Sequence, residues 1–303
     1  MRLCSFDLQG ESRAGLVLTD GSLADLTAMA DHDDRVAPTV LGWVTRGRQG
    51  RTVLDQLLQE ASTARYSVDM GDVSLTAPIP TLPRNVICVG ANYTDHIDES
   101  ERVVGALDLP DAPVYFTKDV RSICGPRDVI RVDPRSTEQL DWEVELAVII
   151  GEPGRDIPAD RALEHVWGYT ILNDVSARDI QLTRNQWWKG KSLEGSSPMG
   201  PYLVSAEEVG DPQQLDLSCW VDGEQMQHAS TSQMIHSVAT IIADLSTTLT
   251  LLPGDVISTG TPSGVGLARS PQQWLTPGRT VEAEICGLGH QTNTIMKERH
   301  ADG

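Results

Sequence analysis

Residues 141–150 read Asp-Trp-Glu-Val-Glu-Leu-Ala-Val-Ile-Ile, an apolar run that begins with two carboxylates two residues apart. Its apolar residues predict a strand. Successive side chains of a strand point to opposite faces, so Glu143 and Glu145 share one face. Two like charges side by side repel each other, and a hard divalent cation such as Mg²⁺ or Mn²⁺ between their oxygens offsets that cost. A solvated strand edge is the alternative, and the pair alone does not decide between the two.

Other apolar runs predict further strands before and after this one, over residues 85–90, 166–172 and 256–258. Apolar residues recur at helical spacing from Met234 to Leu249, and Pro253 with Gly254 ends that helix. Mixed short strands with few long helices predict an α+β fold that is rich in β structure.

Three prolines between residues 78 and 83 favour an extended connector over a helix or a central strand. We therefore predict a small N-terminal α/β domain over residues 1–75, a proline-rich linker over 76–84 and a catalytic domain over 85–303. The length of 303 residues agrees with roughly two domains.

Composition limits the classes of partner. Acidic residues outnumber basic residues 43 to 24, a formal net charge of −19 with histidine neutral, which opposes binding to nucleic acid or to an anionic membrane surface. The first residues lack a signal-peptide pattern, and no apolar run approaches the ~20 residues that span a bilayer. The five cysteines include no Cys-x-x-Cys pair and are typical of reduced thiols. We expect a soluble, cytoplasmic protein with neither a nucleic acid nor a membrane partner.

Asp174 follows the predicted strand over residues 166–172, where a third oxygen ligand could meet Glu143 and Glu145. Three carboxylates would leave about half of an octahedral Mg²⁺ shell for water and substrate. The alternative is a helix N-cap, because Asn173 and Asp174 precede a helix-like segment.

A polar loop is predicted over residues 91–99, and its His96 and Glu99 are three residues apart. If the loop forms a helical turn, the carboxylate could orient the imidazole as a general base. A surface histidine is the alternative. Arg178, Gln181 and Lys191 form a local supply of hydrogen-bond donors, for which solvated surface is the alternative.

The glycine-rich stretch over residues 260–266 lacks the phosphate-loop pattern, and a dinucleotide fingerprint is also missing from the sequence. A tight turn that presents Thr261 is the more economical interpretation. Serine hydrolase and zinc peptidase chemistry lack support, because neither Gly-x-Ser-x-Gly nor His-Glu-x-x-His occurs.

Five motifs, taken in order, resemble the fumarylacetoacetate hydrolase family, in particular its bacterial branch with a small N-terminal domain. They are VGANYTDH at 89–96, WEVELAV at 142–148, NDVSARD at 173–179, GKS at 190–192 and PGDVISTGTPSGVG at 253–266. Each motif alone is weak, but the five in this order and spacing are specific. The resemblance covers about residues 80–290.

The resemblance implies a β-rich α+β fold with a mixed β-sheet roll or barrel, commonly in a homodimer. It implies that Mg²⁺ or Mn²⁺ is held by Glu143, Glu145 and Asp174. It implies catalytic roles, with the His-Glu pair on a mobile loop, for His96, Glu99 and Lys191. It implies substrate-binding roles for Arg178, Gln181, Thr261 and Tyr93. One departure leaves substrate shape open: residues 193–197 are Leu-Glu-Gly-Ser-Ser, where many relatives have an Asp-Thr-Phe-type stretch.

The implied substrates are small anionic 2-oxo acids whose carboxylate and keto oxygens chelate the metal. We expect hydrolysis of a C–C bond in a 2,4-dioxo acid, such as an acylpyruvate or fumarylpyruvate, through a metal-stabilised pyruvate enolate. His96 would deprotonate the attacking water, and Lys191 would stabilise the oxyanion.

Two alternatives remain open. The first is a decarboxylase or an isomerase/tautomerase of 2-oxo acids, of the oxaloacetate or 2-hydroxyhepta-2,4-diene-1,7-dioate type, in the degradation of aromatic compounds. The same metal ligands would serve it, so they do not distinguish the reactions. The second is a metal-free binding protein without turnover, which the presence of all the candidate ligands and catalytic residues opposes.

Overall fold

The structure is a computed structural model, and it describes residues 1–105 and 111–298. The strands of these residues are β1 (Arg2–Leu8), β2 (Glu11–Val17), β3 (Leu23–Asp25), β4 (Ser67–Val68), β5 (Ser74–Thr76), β6 (Val86–Gly90), β7 (Val114–Lys118), β8 (Ile123–Cys124), β9 (Ile130–Val132), β10 (Leu140–Asp141), β11 (Val144–Ile150), β12 (Val166–Asn173), β13 (Ser176–Ala177), β14 (Ser197–Ser205), β15 (Asp216–Val221), β16 (Glu224–Ser230), β17 (Val256–Ser258), β18 (Thr280–Ile285) and β19 (Gly289–Lys297).

The α-helices are short. They are α1 (Leu26–Ala30), α2 (Val40–Thr45), α3 (Gly47–Gln59), α4 (Thr94–Val104), α5 (Arg178–Gln181), α6 (Trp188–Lys191), α7 (Ala206–Val209) and α8 (Val238–Thr248). Short 3₁₀ turns lie at Ala61–Tyr66, Met70–Asp72, Val120–Ser122, Ala159–His165, Thr231–Gln233 and Gly266–Ala268. Within the described ranges, every helix is too short or too polar to cross a bilayer.

The largest sheet has 12 strands and runs in the order β4-β3-β2-β1-β14-β12-β11-β17-β6-β7, with β5 beside β1 and β8 beside β14. A second sheet has the order β16-β15-β18-β19-β9. These sheets confirm the predicted β-rich α+β fold. The expectation of a barrel is corrected, because the path of the large sheet ends at β4 and β7, which do not pair in the described part of the chain.

The predicted strands that frame the candidate site are confirmed as β6, β11, β12 and β17. Every residue of β11 and β12 is buried because both strands lie inside the large sheet, which explains why their sequences are apolar on both faces. β11 runs antiparallel to β17, and β17 runs parallel to β6. The start of β11 therefore lies at the end of the sheet where β17 and β6 finish.

Two local predictions need correction. Residues 91–99 are helical from Thr94 rather than a loop, because the buried Tyr93, which is 2% exposed, forms a backbone bridge with Met234 and fixes the start of α4. The helix predicted from Met234 begins at Val238, where the side chain of Ser237 caps it.

The N-terminal residues share the large sheet and its core. β1 pairs with β2, with β5 and with β14, which belongs to the predicted catalytic segment. One apolar cluster contains Trp43 and Leu54 together with Ile149 and Leu203. Packing is therefore continuous across the predicted linker, and the division into 1–75, 76–84 and 85–303 stays a prediction.

Candidate active site

The antiparallel pairing of β11 with β12 brings the predicted ligand residues together. Val144 lies opposite Asn173, and the next residue, Asp174, donates its backbone N–H to the carbonyl of Glu143 at 2.8 Å. One oxygen from each of Glu143, Glu145 and Asp174 can be chosen so that all lie within 4.8 Å of one another. All three side chains are buried, and Asp174 is not a helix cap, because the two-residue strand β13 follows it.

Glu143 lies between two cations. Its Oε1 accepts from Arg178 at 2.6 Å, and its Oε2 accepts from the Nζ of Lys191 at 2.5 Å. Lys191 also donates to Asp174 Oδ2 at 2.9 Å. Burial raises the pKa of Glu143, but the charges of Arg178 and Lys191 outweigh it and lower the pKa to about 2. This carboxylate is therefore ionised at neutral pH.

Glu145 forms no ion pair within residues 1–105 and 111–298. Its Oε2 accepts from the Ser258 hydroxyl at 2.6 Å and from the Gly260 N–H at 2.9 Å. Burial, together with the charges of Asp174 and Glu143, raises the pKa of Glu145 well above its usual value. The described residues bonded to Glu145 are neutral, so a positive charge placed beside this carboxylate would stabilise its ionised form.

Lys118 is a functional candidate that sequence reasoning missed. This side chain is fully buried, and its Nζ donates to Asp174 Oδ1 at 2.6 Å and to the Val175 carbonyl at 3.0 Å. The one available signal was a lysine at the end of a short strand-like segment, Val114–Lys118, that begins with Val-Tyr-Phe. Lys118 and Lys191 together bind both oxygens of Asp174.

The charges of the cluster fit a divalent cation. The buried carboxylates are Asp141, Glu143, Glu145 and Asp174, and the buried cations bonded to them are Lys118, Arg178 and Lys191. Within this described cluster one negative charge is left without a partner. The potential ligand atoms are carboxylate oxygens, a donor set that suits Mg²⁺ or Mn²⁺ better than softer metals.

Asp141 orients Arg178 and was also missed as a functional residue. Its Oδ2 accepts from Arg178 Nε at 2.8 Å, and its Oδ1 accepts from the Gly266 N–H at 2.6 Å. Arg178 Nη1 in turn donates to Gln181 Oε1 at 2.9 Å. Asp141 thus ties the guanidinium to the glycine-rich turn, and its position directly before the Trp-Glu-x-Glu motif was the available signal.

His96 and Glu99 form the expected pair on α4. His96 Nδ1 lies 3.0 Å from Glu99 Oε1, and the two oxygens of Glu99 accept from the Gly264 N–H at 3.0 and 2.9 Å. Gly264 has a φ of +105°, and a Cβ there would lie 2.0 Å from the carbonyl oxygen of Met226. The turn therefore requires glycine at this position, and it anchors the carboxylate that orients His96.

Two of the predicted substrate-binding residues, Thr261 and Tyr93, are not bonded to the cluster of carboxylates and cations. The Thr261 hydroxyl donates to the Val144 carbonyl at 3.0 Å and accepts from Gln227 Nε2 at 2.8 Å, so it fastens the turn to β11. Tyr93 lines a neighbouring cavity with Thr94, and its buried hydroxyl has no hydrogen-bond partner in the part of the chain that the structure describes.

One cavity joins most of the predicted site residues. Those that line it are His96, Glu143, Glu145, Arg178, Gln181, Lys191 and Thr261. Glu99 and Asp174 lie directly behind this lining through their bonds to His96 and Lys191. The rest of the lining is mostly apolar and was not predicted; it includes Ile97, Phe116, Leu182 and Trp187. We call the charged residues of this lining, Glu143, Glu145, Arg178 and Lys191, the charged floor of the cavity. We call Ile97, Phe116, Leu182 and Trp187 its apolar wall.

Comparison with known proteins adds a family and several named relatives. Residues 85–296 match the family model described as "Fumarylacetoacetate (FAA) hydrolase C-terminal". A mitochondrial oxaloacetate tautomerase of Xenopus laevis is 38% identical over 301 residues, which cover 98% of this chain and 90% of that protein.

Two solved structures share the fold. The fumarylacetoacetate hydrolase of Exiguobacterium antarcticum is 38% identical with a TM-score of 0.82, and the match covers 98% of this chain and 100% of that one. The maleylpyruvate hydrolase of Sphingobium sp. SYK-6, solved with manganese(II) and pyruvate, is 27% identical with a TM-score of 0.78, covering 99% of this chain and 100% of that one.

Proposed function

The chain belongs to the fumarylacetoacetate hydrolase family, and we propose that it is a divalent-metal-dependent tautomerase that interconverts the keto and enol forms of a small 2-oxo acid of the oxaloacetate type. The observation that carries this proposal is the 38% identity to an oxaloacetate tautomerase over 98% of the chain. The C–C hydrolysis that we first expected becomes the second candidate, favoured by the likeness to the maleylpyruvate hydrolase at 27% identity.

Glu143, Glu145 and Asp174 would hold Mg²⁺ or Mn²⁺, and the bound cation would supply Lewis-acid stabilisation of negative charge on the substrate oxygens. The fit of the donor set and the unpaired negative charge of the cluster support this assignment. We assign Arg178 and Gln181, which line the cavity beside these carboxylates, to binding the oxygens of the 2-oxo acid.

His96 is the proposed base. Its Nδ1 is bonded to Glu99, which leaves Nε2 to take the proton from C3 of the substrate and to return it in the reverse direction. The electron pair of the broken C–H bond forms the double bond between C2 and C3, and the C2 oxygen takes up the charge and then a proton from water. The hydroxide that remains takes the proton from the His96 imidazolium, which restores both the water and the base. Glu99 stabilises the imidazolium that forms, because its carboxylate is anchored by Gly264.

We assign Lys191 an electrostatic role in the reaction. Burial lowers the pKa of Lys191, but Asp174 and Glu143 outweigh it and raise the pKa above the usual lysine value. The ammonium therefore stays protonated at neutral pH and stabilises developing negative charge rather than donating a proton.

The test follows the decay of enol absorbance of oxaloacetate with Mg²⁺, in parallel with pyruvate release from acetylpyruvate. We expect the protein to accelerate enol decay over buffer, and chelation with EDTA to remove the acceleration. His96→Gln should cost on the order of 10²–10⁴ in rate. The exposed His32 provides the matched variant, His32→Gln, which should keep full activity. Pyruvate release from acetylpyruvate without accelerated enol decay would instead establish the hydrolase.

A further inference from the structure

The cavity is small and its two halves differ in chemistry. Its volume is about 90 Å³. This is less than the roughly 150 Å³ of an enclosed apolar cavity that holds benzene, so the space suits a small group on C3 better than a phenyl ring. With the substrate oxygens placed at Arg178 and Gln181, as proposed above, the C3 substituent would face the apolar wall.

Trp187 is the largest side chain of that wall, and its neighbours fix its position. Its ring meets Phe116 edge-on, with centroids 5.4 Å apart and planes at 66°. Phe116 in turn lies against the ammonium of Lys191, 4.9 Å from the ring centroid. The wall is thereby tied to a residue of the charged floor.

Gly90 provides the space that this ring occupies. A Cβ at Gly90 would lie 2.8 Å from Cζ3 and 3.3 Å from Cη2 of Trp187, so the indole packs directly against the backbone at the end of β6. The contacts with β6 on one side and Phe116 on another limit the positions that the ring can take.

We propose that Trp187 is a specificity-determining residue that limits the group on C3 of the substrate to a small one, so that the substrates are unbranched four-carbon 2-oxo acids. This inference rests on the proposed function and adds the size limit and the residue that sets it. Trp188 offers a matched control, because it is the adjacent tryptophan, is 47% exposed and is not part of the cavity lining.

The experiment compares the tautomerisation of oxaloacetate and of phenylpyruvate, two 2-oxo acids that carry a carboxylate and a phenyl group on C3. We expect the wild type to prefer oxaloacetate. Trp187→Ala should raise the ratio of kcat/KM for phenylpyruvate to kcat/KM for oxaloacetate by about 10–200-fold, the range expected for a changed hydrophobic pocket. Trp188→Ala should leave that ratio unchanged.

A second variant tests the same wall in the opposite direction. Gly90→Ala should push the indole further into the cavity and lower kcat/KM for both acids, with the larger loss for phenylpyruvate. A wild-type preference for phenylpyruvate, or a ratio that Trp187→Ala leaves unchanged, would overturn the proposal.

A binding measurement separates this inference from the proposed function. With Mg²⁺ present, the rise in melting temperature is recorded for oxalate and for phenylpyruvate, which needs no turnover. If neither acid is tautomerised, the proposed function fails, yet Trp187→Ala must still gain affinity for phenylpyruvate relative to oxalate while Trp188→Ala does not. Equal relative affinities in Trp187→Ala and the wild type would refute the size limit.

Discussion

At the scale of single residues, Glu145 occupies an environment that disfavours its charge. It is buried among acidic neighbours and accepts hydrogen bonds from the neutral donors Ser258 and Gly260, and its pKa is raised by burial and by the charges of Asp174 and Glu143. The two-residue spacing predicts that Glu143 and Glu145 share one face of the strand. It could not predict that Glu143 is bonded to two protein cations while Glu145 accepts from neutral donors.

Glu145→Gln should remove the metal response without unfolding the protein. The amide is similar in shape and relieves the repulsion from Glu143 and Asp174, so the melting temperature without metal should stay the same or rise. The increase on adding Mg²⁺, which follows from binding to the folded state alone, should disappear. Differential scanning fluorimetry with and without Mg²⁺ measures both. Glu194→Gln, at an exposed ion pair with Arg121, serves as the control, and a retained Mg²⁺ shift in Glu145→Gln would contradict the ligand assignment.

Lys118→Met tests whether the missed lysine positions Asp174 or only balances its charge. Groups that orient a metal ligand typically contribute 10–100-fold in metal affinity, so we expect a loss of about that size. A role in charge alone would have the opposite sign, because removal of a buried positive charge strengthens attraction for a cation. Mn²⁺ affinity measured by electron paramagnetic resonance distinguishes the two. Arg121→Met removes an exposed positive charge nearby and should change little.

Among the elements, the glycine-rich turn makes contacts that its sequence-based interpretation does not include. Thr261 lines the cavity, and its hydroxyl is also bonded to β11. The turn acts through backbone N–H groups, with Gly260 bonded to Glu145 and Gly264 bonded to Glu99. These partners lie more than a hundred residues away in the chain, and local spacing carries no information on such contacts.

Gly264→Ala should destabilise the protein and weaken catalysis together. A positive φ at a non-glycine residue costs about 1–3 kcal/mol, and the new Cβ would also meet the Met226 carbonyl 2.0 Å away. Gly278→Ala is the matched control, because Gly278 has a φ of +99° and no atom within 4 Å of an added Cβ. Chemical denaturation should show a larger loss in the free energy of unfolding for Gly264→Ala than for Gly278→Ala. The value of kcat should fall only in Gly264→Ala, because Glu99 loses its hydrogen bonds to this turn. Equal losses in the two variants would show that the close contact is unimportant.

At the scale of the whole molecule, the proline-rich segment packs into the shared core. Three prolines predict an extended connector between two domains, and Ile79 and Leu82 of this segment are buried within the cluster that contains Trp43 and Leu203. β1 pairs with β14, its partner about two hundred residues later in the sequence. The strands could be predicted one by one from their apolar residues, whereas the pairing that joins the two halves depends on contacts that no local pattern encodes.

The continuous sheet predicts that residues 1–75 and the rest of the chain unfold as one unit. Calorimetry of the full-length protein should give a single transition in which the calorimetric and van't Hoff enthalpies agree. Trp43→Ala, which opens a cavity in the shared cluster and typically costs about 3–5 kcal/mol, should lower that single transition as a whole. Mg²⁺ should still raise it, because stabilisation by a ligand depends on affinity and concentration and not on the core.

A chain that begins at residue 76 should lack cooperative unfolding, because it exposes the edge of β14 and the apolar face beneath β1. A soluble 76–303 fragment that unfolds cooperatively and keeps its Mg²⁺ response would show that two independent domains exist, as the prolines first indicated. Two separate calorimetric transitions, with Trp43→Ala lowering only one of them, would lead to the same conclusion. The choice between one unit and two therefore depends on whether the β1–β14 pairing stabilises the half of the chain that carries the carboxylate cluster.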